Sequence, residues 1–286
     1  MKEKQNNLLI VLVLYNQFLE DSETFKSLIN VVKDSLDFKY KIVVYDNSLI
    51  VRDNLLFLEQ FEAYFEIDYV SDSTNPGISH AYNYAFKIAQ KSKVSWLLLL
   101  DQDTKLPLNY IRTFLDTVDY SNTSIVGYVP RIFGELNGSL ISPFKINSFG
   151  LMRNISKDIN GLIDYGVIAI NSGTFISVDF ISDINGFSED YPLDMLDFWL
   201  FTEIFINKKK VCLLDINIEH NLSISDFENN VSLHRYESII LAEKRFFSQK
   251  ILWKFMFKAR LLRRLLVQSK FKDKTFFKKT LKYILQ

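Results

Sequence analysis

The stretch WLLLLDQDTKLP, residues 96–107, decides the fold, because a run of four leucines ends directly in two carboxylates. An unbroken apolar run of this kind is typical of a strand that is buried on both faces. If the backbone stays extended, Asp101 and Asp103 point to the same side and repel each other unless a cation lies between them. Mg²⁺ and Mn²⁺ prefer such oxygen ligands, usually together with substrate phosphates. The alternative is that Asp103 caps a turn before Pro107.

The chain before this stretch alternates apolar runs with helical patterns. Strands are predicted at 8–15, 41–48 and 65–72, and helices at 20–36, 53–64 and 78–91. Such alternation predicts an α/β fold with a parallel sheet. Because ligands bind at the carboxyl ends of parallel strands, the polar residues after each strand are expected to share one edge of the sheet. These residues are Tyr15, Asn16, Asp46, Asn47, the segment 72–77, Asp101, Gln102 and Asp103.

The pattern is less regular after residue 108. Further strands are predicted at 124–130, 165–178 and 211–220, further helices at 109–118, 179–186 and 194–208, and helix throughout from Ser232 to the end. The single cysteine, Cys212, excludes an internal disulfide and is expected to be a buried strand residue in a reducing compartment. No apolar run approaches the ~18 residues that a membrane-spanning helix needs.

The charges are distributed unevenly along the chain, although the net charge is zero. Residues 244–286 contain 14 Lys and Arg residues and one acid, Asp273, a net +13 that leaves −13 on the other 243 residues. Within 250–286, apolar residues recur at helical spacing between the basic ones. A basic amphipathic helix is typical of an interfacial membrane segment. The alternative is an ordinary helix that packs on the rest of the chain or on a dimer partner.

An ordered set of short segments resembles the inverting nucleotide-sugar glycosyltransferases of family 2, and most closely their bacterial rhamnosyltransferase-like branch. The resemblance covers roughly residues 8–250. Its segments are VLVLYN (11–16), VVYDNS (43–48), NPGISHAYNYAFKIA (75–89), LLLLDQD (97–103), INSGTFIS (170–177), INGFSEDYPLDMLDFW (184–199), IEH (218–220) and HRYESIILAEKRF (234–246). The order of the set is specific, although each segment alone is not.

The resemblance implies a GT-A nucleotide-diphospho-sugar transferase fold, with a Rossmann-like, mostly parallel central sheet and a C-terminal helical, basic amphipathic extension. It implies a catalytic domain over 1–230, with a nucleotide-binding part at about 1–108 and an acceptor-binding part at about 109–230, followed by the helical region 231–286. The reaction expected of such a fold is sugar transfer with inversion.

The resemblance also implies roles for individual residues. Asp46 is expected to accept a hydrogen bond from the imino N–H of a pyrimidine base, with an Asx turn as the alternative. Asp101 and Asp103 are expected to hold Mn²⁺ or Mg²⁺ and the diphosphate, and His220 is expected to help them, with a structural role as its alternative. The remaining residues expected to line the nucleotide or the donor–acceptor pocket are Tyr15, Asn16, Asn75, Gly77, Asn83, Gln102, Asn171, Ser172 and Gly173.

The general base is expected in the segment YPLDMLDFWLF, where Asp197 matches the family's acidic motif best and Asp194 is the rival. One carboxylate suffices, because it needs only to take the proton of the attacking acceptor hydroxyl. Leu196 and Trp199 occupy positions where the family often has a second acid, so the motif departs from the family pattern.

The resulting hypothesis is a metal-assisted inverting glycosyltransferase that builds bacterial surface polysaccharide. Its expected donor is dTDP-rhamnose first and a UDP-hexose next, and its expected acceptor is a lipid-linked saccharide. It is expected in the cytoplasm, peripheral on the inner face of the membrane through residues 250–286, with no nucleic-acid partner. The alternative hypothesis, supported by the altered acidic motif, is a non-catalytic membrane-associated partner that keeps the fold.

Overall fold

The structure is a computed structural model. It describes residues 7–33, 38–52, 54–134, 138–147, 152–156, 158–220, 231–249 and 251–285. The chain divides into two compact units: Met1–Lys145 with Arg153–Asn221, and Ile146–Met152 with Leu222–Gln286.

The first half of the chain alternates strands and helices as its sequence predicts. Its strands are β1 (Leu8–Leu14), β2 (Tyr40–Asp46), β3 (Phe65–Ser71), β4 (Trp96–Asp101) and β5 (Thr104–Lys105), and its helices are α1 (Glu23–Lys33), α2 (Leu55–Glu59), α3 (Ile78–Lys91) and α4 (Tyr110–Thr117), with a 3-10 turn at Leu19–Asp21. Every residue of β1 is buried, as the apolar sequence of a central strand requires.

The second half begins with shorter elements. They are β6 (Ile125–Gly134), β7 (Leu140–Ser142), β8 (Phe144–Ile146), β9 (Met152–Asn154), β10 (Gly161–Ile163), β11 (Val167–Ile168), β12 (Thr174–Ser177), α5 (Val178–Asp183), α6 (Leu196–Ile206) and β13 (Lys210–His220). Cys212 is buried in β13, as expected. The predicted strand at 165–178 is in fact two short strands separated by a turn.

Ten strands of the described chain form one sheet in the order β10-β13-β6-β12-β4-β1-β2-β3, with β5 paired to β13 and β7 to β6. The longest pairings, β1–β2, β1–β4, β2–β3 and β6–β13, are parallel. The architecture is therefore the α/β, GT-A-like fold with a mostly parallel central sheet that the sequence predicts. β8, β9 and β11 form a second, three-stranded sheet.

Strand β12 is antiparallel to β4, with Thr174 opposite Leu99 and Ser177 opposite Trp96. The start of β12 therefore lies beside the end of β4. This direction places the turn 171–173 at the same sheet edge as the carboxyl ends of β1, β2 and β4.

The described part of the second unit contains three helices, α7 (Leu233–Phe247), α8 (Ile251–Gln268) and α9 (Thr275–Leu285). The prediction of helix throughout this region is wrong at 248–249 and at 269–274, which are not helical. Before α9, Oδ1 of Asp273 accepts a hydrogen bond from Thr275 N–H at 2.8 Å. Within the described part of the chain, no helix is long and apolar enough to cross a membrane.

Candidate active site

The loop after β1 is tied to the ends of both neighbouring strands. The backbone N–H of Tyr15 donates to Oε1 of Gln102 at 2.7 Å, and the N–H of Asn16 donates to Oγ of Ser48 at 2.8 Å. Asn16 has a φ of 51°, which turns the chain sharply away from the strand. The polar strand ends therefore meet along one edge, as the parallel topology requires.

Asp46, at the end of β2, is fully buried and surrounded by donors from its own chain. Its Oδ1 accepts a hydrogen bond from Ser48 N–H at 2.9 Å, which is the Asx turn that the sequence left open as an alternative. Its Oδ2 accepts a hydrogen bond from Tyr69 Oη at 3.1 Å. Recognition of a base by Asp46 remains a prediction, and it requires the carboxylate to share an oxygen that already has a donor.

The turn before α3 is compact and strained in the way its sequence suggests. Asn75 has a φ of 48° and Gly77 a φ of 101°. A Cβ on Gly77 would lie 2.4 Å from the carbonyl oxygen of Pro192, so only glycine fits at this approach. Gly77 thus brings backbone close to the segment that precedes α6, whereas its predicted approach to a nucleotide stays untested.

Asn83 holds the Gly-Phe loop that precedes the acidic motif. Its Nδ2 donates to the carbonyl oxygen of Phe187 at 2.8 Å, and its Oδ1 accepts from Phe187 N–H at 2.8 Å. Both atoms of the amide bond to this loop, so Asn83 has a positioning role, and its predicted place beside the nucleotide stays untested.

The two carboxylates of the opening stretch lie in different backbone conformations. Asp101 is the last residue of β4, but Asp103 lies in a turn before β5. The expectation that an extended backbone makes them point to the same side is therefore wrong, because the strand ends between them. Both residues are partly exposed. The backbone of Asp101 is fixed by Ser172, whose Oγ accepts from Asp101 N–H at 2.8 Å.

The turn 171–173 connects Asp101 to the predicted general base. While Ser172 holds Asp101, the adjacent N–H of Asn171 donates to Oδ1 of Asp197 at 3.2 Å. Gly173 has a φ of 84°, and a Cβ there would lie 2.8 Å from Cδ1 of Ile218. Two consecutive residues thus bring together a carboxylate from β4 and a carboxylate from the first turn of α6.

Asp197 has a carboxyl group suited to proton transfer near neutral pH. Burial is the largest cause that raises its pKa, to about 7, and the charge of Asp194 adds to the effect, while the N–H of Asn171 opposes it. Asp194 is also partly exposed and lies in the segment just before α6. The structure therefore brings both candidate bases together, and the raised pKa of Asp197 suits it to act as the base.

Tyr82 is a site residue that the sequence did not reveal. It is fully buried on α3, and its Oη donates to Oδ1 of Asp101 at 3.4 Å. Burial, then the charges of Asp101 and Asp197, raise its pKa well above the usual value, so the phenol stays protonated between the two carboxylates. The buried side of α3 contains Ala81, Tyr82 and Ala85.

Two buried amide oxygens lie beside the candidate residues without a hydrogen-bond donor. Oδ1 of Asn47, next to Asp46, and Oδ1 of Asn171, next to Asp197, accept no hydrogen bond within the described part of the chain. Buried polar atoms are normally paired, so an unpaired one needs an explanation such as a missing ligand or water.

The candidate residues suit a divalent cation only if a bound nucleotide and water supply its remaining ligands. Among the residues described, no group of three or more His, Cys, Asp and Glu side chains could hold a metal ion. The side chain of His220 lies outside the described part, but its backbone pairs with Thr104, adjacent to Asp103. Two partly exposed carboxylates are a typical protein share for Mg²⁺ or Mn²⁺, with phosphate oxygens and water supplying the rest.

The comparisons with known proteins agree with the fold described above. A family model described as "Glycosyl transferase family 2" matches residues 9–182. No curated protein sequence matches significantly. The crystal structure of residues 1–349 of TarS from S. aureus is similar, with a TM-score of 0.52 and 16% identity over 96% of this chain and 90% of that one.

Two similar structures contain ligands. The same part of S. aureus TarS in complex with UDP-GlcNAc has a TM-score of 0.53 and 13% identity, covering 96% of this chain and 90% of that one. GalNAc-T7 with UDP, GalNAc and Mn²⁺ has a TM-score of 0.54 and 14% identity, covering 86% of this chain and 52% of that one. At such identities the likeness establishes the fold.

Proposed function

The chain belongs to glycosyl transferase family 2 and is a glycosyltransferase, and we propose that it inverts the anomeric centre of a nucleoside-diphosphate sugar with Asp197 as general base. The observation that carries this proposal is the turn 171–173. Its Asn171 N–H holds Asp197 at 3.2 Å, and its Ser172 Oγ holds the backbone of Asp101 at 2.8 Å. This turn joins a base with a pKa near neutrality to a carboxylate suited to bind a metal–diphosphate.

In this proposal Asp197 takes the proton of the acceptor hydroxyl as its oxygen attacks the anomeric carbon. The bond to the nucleoside diphosphate breaks on the opposite face, which inverts the configuration and needs no covalent intermediate. Asp101 and Asp103 would hold Mn²⁺ or Mg²⁺, which would offset the charge that develops on the leaving diphosphate. Tyr82 keeps its proton and donates a hydrogen bond to Oδ1 of Asp101, and Asn171 Oδ1 accepts a hydrogen bond from a sugar hydroxyl.

The proposed donor contains a pyrimidine base. Asp46, Asn47 and the loop from Tyr15 to Asn16 form the base end of the site, and an acidic acceptor reads the N–H of uracil and thymine alike. dTDP-rhamnose is the first choice on sequence resemblance, and a UDP-hexose is the next. The UDP and Mn²⁺ in the GalNAc-T7 structure and the UDP-GlcNAc in the TarS structure support a nucleotide-sugar donor and a divalent cation.

The proposed acceptor is a lipid-linked saccharide in bacterial surface polysaccharide synthesis. The enzyme would act in the cytoplasm, peripheral on the inner face of the membrane, with residues 250–286 at the anionic lipid surface. The parts at about 1–108 and 109–230 would bind the donor and the acceptor respectively. The net charge of +13 on residues 244–286 supports attraction to an anionic surface.

The test is calorimetric titration of the protein with dTDP, UDP and GDP, each with and without Mn²⁺. We expect Mn²⁺-dependent binding of a pyrimidine diphosphate that Asp103→Ala weakens at least about tenfold, as loss of a charged metal ligand implies. Asp183→Ala, which removes an exposed aspartate on α5, serves as the matched control and should bind normally. A folded protein that binds none of the three nucleotides would contradict the proposal.

Catalysis is separated from mere binding by donor turnover. Release of nucleoside diphosphate should be lost in Asp197→Asn, while the calorimetric affinity for the nucleotide is kept, because Asp197 acts on the acceptor hydroxyl. Nucleotide binding with no turnover in the wild-type protein on any tested acceptor would instead favour the non-catalytic partner that the altered acidic motif suggests.

A further inference from the structure

Helix α8 (Ile251–Gln268) has two different apolar faces. One face is turned into the three-helix unit and contains buried Phe257, Leu261 and Gln268. The other face is exposed and contains Phe255, Leu262 and Leu266, which are 69%, 53% and 72% exposed. The spacing of these three residues, seven and then four, repeats the α-helical period, so they form one continuous stripe.

The inner face uses part of the basic charge of the tail. Buried Glu243 of α7 pairs with Arg260 at 3.1 Å and with Arg264 at 2.9 Å. Gln268 Nε2 donates to Tyr236 Oη at 2.9 Å. Arg260 and Arg264 therefore take part in the packing of the unit. The net charge of +13 on residues 244–286 overstates the positive charge that is exposed to a partner.

The outer stripe is flanked by basic residues on both sides. Lys254 and Lys258 lie on one side of it, Arg263 lies on the other, and all three are exposed. The sequence of α8 contains no Asp or Glu. Apolar side chains bordered by Lys and Arg are suited to the boundary between the headgroups and the acyl chains of an anionic bilayer.

We infer that the outer face of α8 docks on the anionic phospholipid surface of a bilayer, with Phe255, Leu262 and Leu266 inserted and Lys254, Lys258 and Arg263 at the headgroups. The inference deepens the membrane association put forward under the proposed function, and it does not depend on sugar transfer. A symmetric dimer through the same stripe is disfavoured, because it would bring two sets of basic residues, Lys254, Lys258 and Arg263 of each copy, close together.

The experiment is co-sedimentation of the full chain with vesicles of phosphatidylcholine alone or of phosphatidylcholine and phosphatidylglycerol in equal parts. The protein is expected to bind the anionic vesicles and to be released as the salt concentration rises, since ionic attraction is screened. No binding to anionic vesicles would overturn this inference together with the proposed membrane association. The nucleotide titration, performed without lipid, would still test the sugar-transfer proposal separately.

The apolar stripe is tested by a matched pair of leucines. Leu262 on the stripe and Leu241 on α7 are both 53% exposed. Leu262→Gln is expected to lower the partition coefficient of the protein onto anionic vesicles about tenfold, the effect of losing one leucine that is buried in the bilayer. Leu241→Gln should leave this coefficient unchanged. Equal loss in both variants, or none in Leu262→Gln, would overturn the inference while leaving membrane association itself intact.

The flanking charges are tested in the same way. The double change Lys258→Gln with Arg263→Gln is expected to weaken binding to anionic vesicles about tenfold or more. The control changes two exposed lysines of α3, Lys87→Gln with Lys91→Gln, and should have no effect. If Leu262→Gln instead changes the molar mass in light scattering and leaves vesicle binding unchanged, the stripe is a contact between copies of the chain and the inference is wrong.

Discussion

The proposed chemistry depends on one carboxyl group, that of Asp197, whose environment opposes its ionisation. Asp197 lies in the first turn of α6. Its Oδ1 accepts one backbone hydrogen bond, but burial dominates and raises its pKa to about 7. A base of this kind is half ionised at neutral pH and takes a proton readily once ionised. The negative charge of Asp194 also raises the pKa of Asp197, but its effect is smaller than that of burial.

The first prediction concerns the pH dependence of transfer. Because the base must be ionised, kcat/KM should fall as the pH drops below about 7, following the pKa of Asp197. Asp194→Asn removes a charge that raises this pKa, so the acid limb should move to lower pH by less than about one unit, since burial is the larger cause. Loss of all activity in Asp194→Asn would instead identify Asp194 as the base.

The second prediction concerns stability. The folded pKa of Asp197 lies above its unfolded value of 3.8, so the folded state binds more protons and loses stability as the pH rises from 3.8 to about 7. Asp197→Asn removes this cost. Its gain in melting temperature over the wild type should therefore be larger at about pH 8 than at about pH 4.5. A gain independent of pH would contradict the raised pKa.

At the scale of elements, the segment before α6 is positioned from α3. Asn83 holds Phe187 through both amide atoms, and Gly77 lets Pro192 approach within a distance that no Cβ allows. Ser79 N–H also donates to the carbonyl oxygen of Pro192, at 3.3 Å. The helix that follows the turn 75–77 thus orients the segment that contains the candidate catalytic carboxylates, Asp194 and Asp197.

The third prediction tests this approach with a pair of glycines. Gly77→Ala should destabilise the protein by about 2 kcal/mol or more, from backbone strain and from the clash with Pro192. Gly161→Ala is the control, because Gly161 also has a positive φ, 86°, but nothing lies within 4 Å of its Cβ position. It should cost only about 1–2 kcal/mol. If chemical denaturation shows an equal loss of unfolding free energy in the two variants, the expected clash between the Cβ added by Gly77→Ala and Pro192 is relieved by a local shift.

The elements were largely predictable from sequence, because periodicity records burial. The bounds predicted for α3, 78–91, agree with the structure, and the four leucines form the buried strand β4. The direction of β12 was not predictable, since a short apolar run buries equally well in either direction. The contacts of the turn 171–173 with Asp101 and Asp197, and the burial of Tyr82 between these carboxylates, were not predictable either. They follow from tertiary packing, which leaves no local pattern in the sequence.

At the scale of the whole molecule, the candidate site residues and the exposed basic face of α8 belong to different units. The described candidate site residues lie in the first unit, whereas the second unit contains a buried ionic cluster and an exposed basic, apolar face. Glu243 is 3% exposed and accepts hydrogen bonds from two arginines of α8, so the packing of α8 on α7 depends on this buried acid.

The fourth prediction is that damage to this cluster leaves the candidate active site intact. Glu243→Gln removes the charge that compensates Arg260 and Arg264, and should lower the stability of the second unit by roughly 2–3 kcal/mol. Glu237→Gln on the same helix, which loses a more exposed pair with Lys279, should have a smaller effect on the melting curve. The affinity for UDP with Mn²⁺ should stay within about a factor of two of the wild type in both variants. If Glu243→Gln weakens nucleotide binding as strongly as it lowers stability, the nucleotide site depends on the helical unit, and the assignment of donor binding to the first unit alone is wrong.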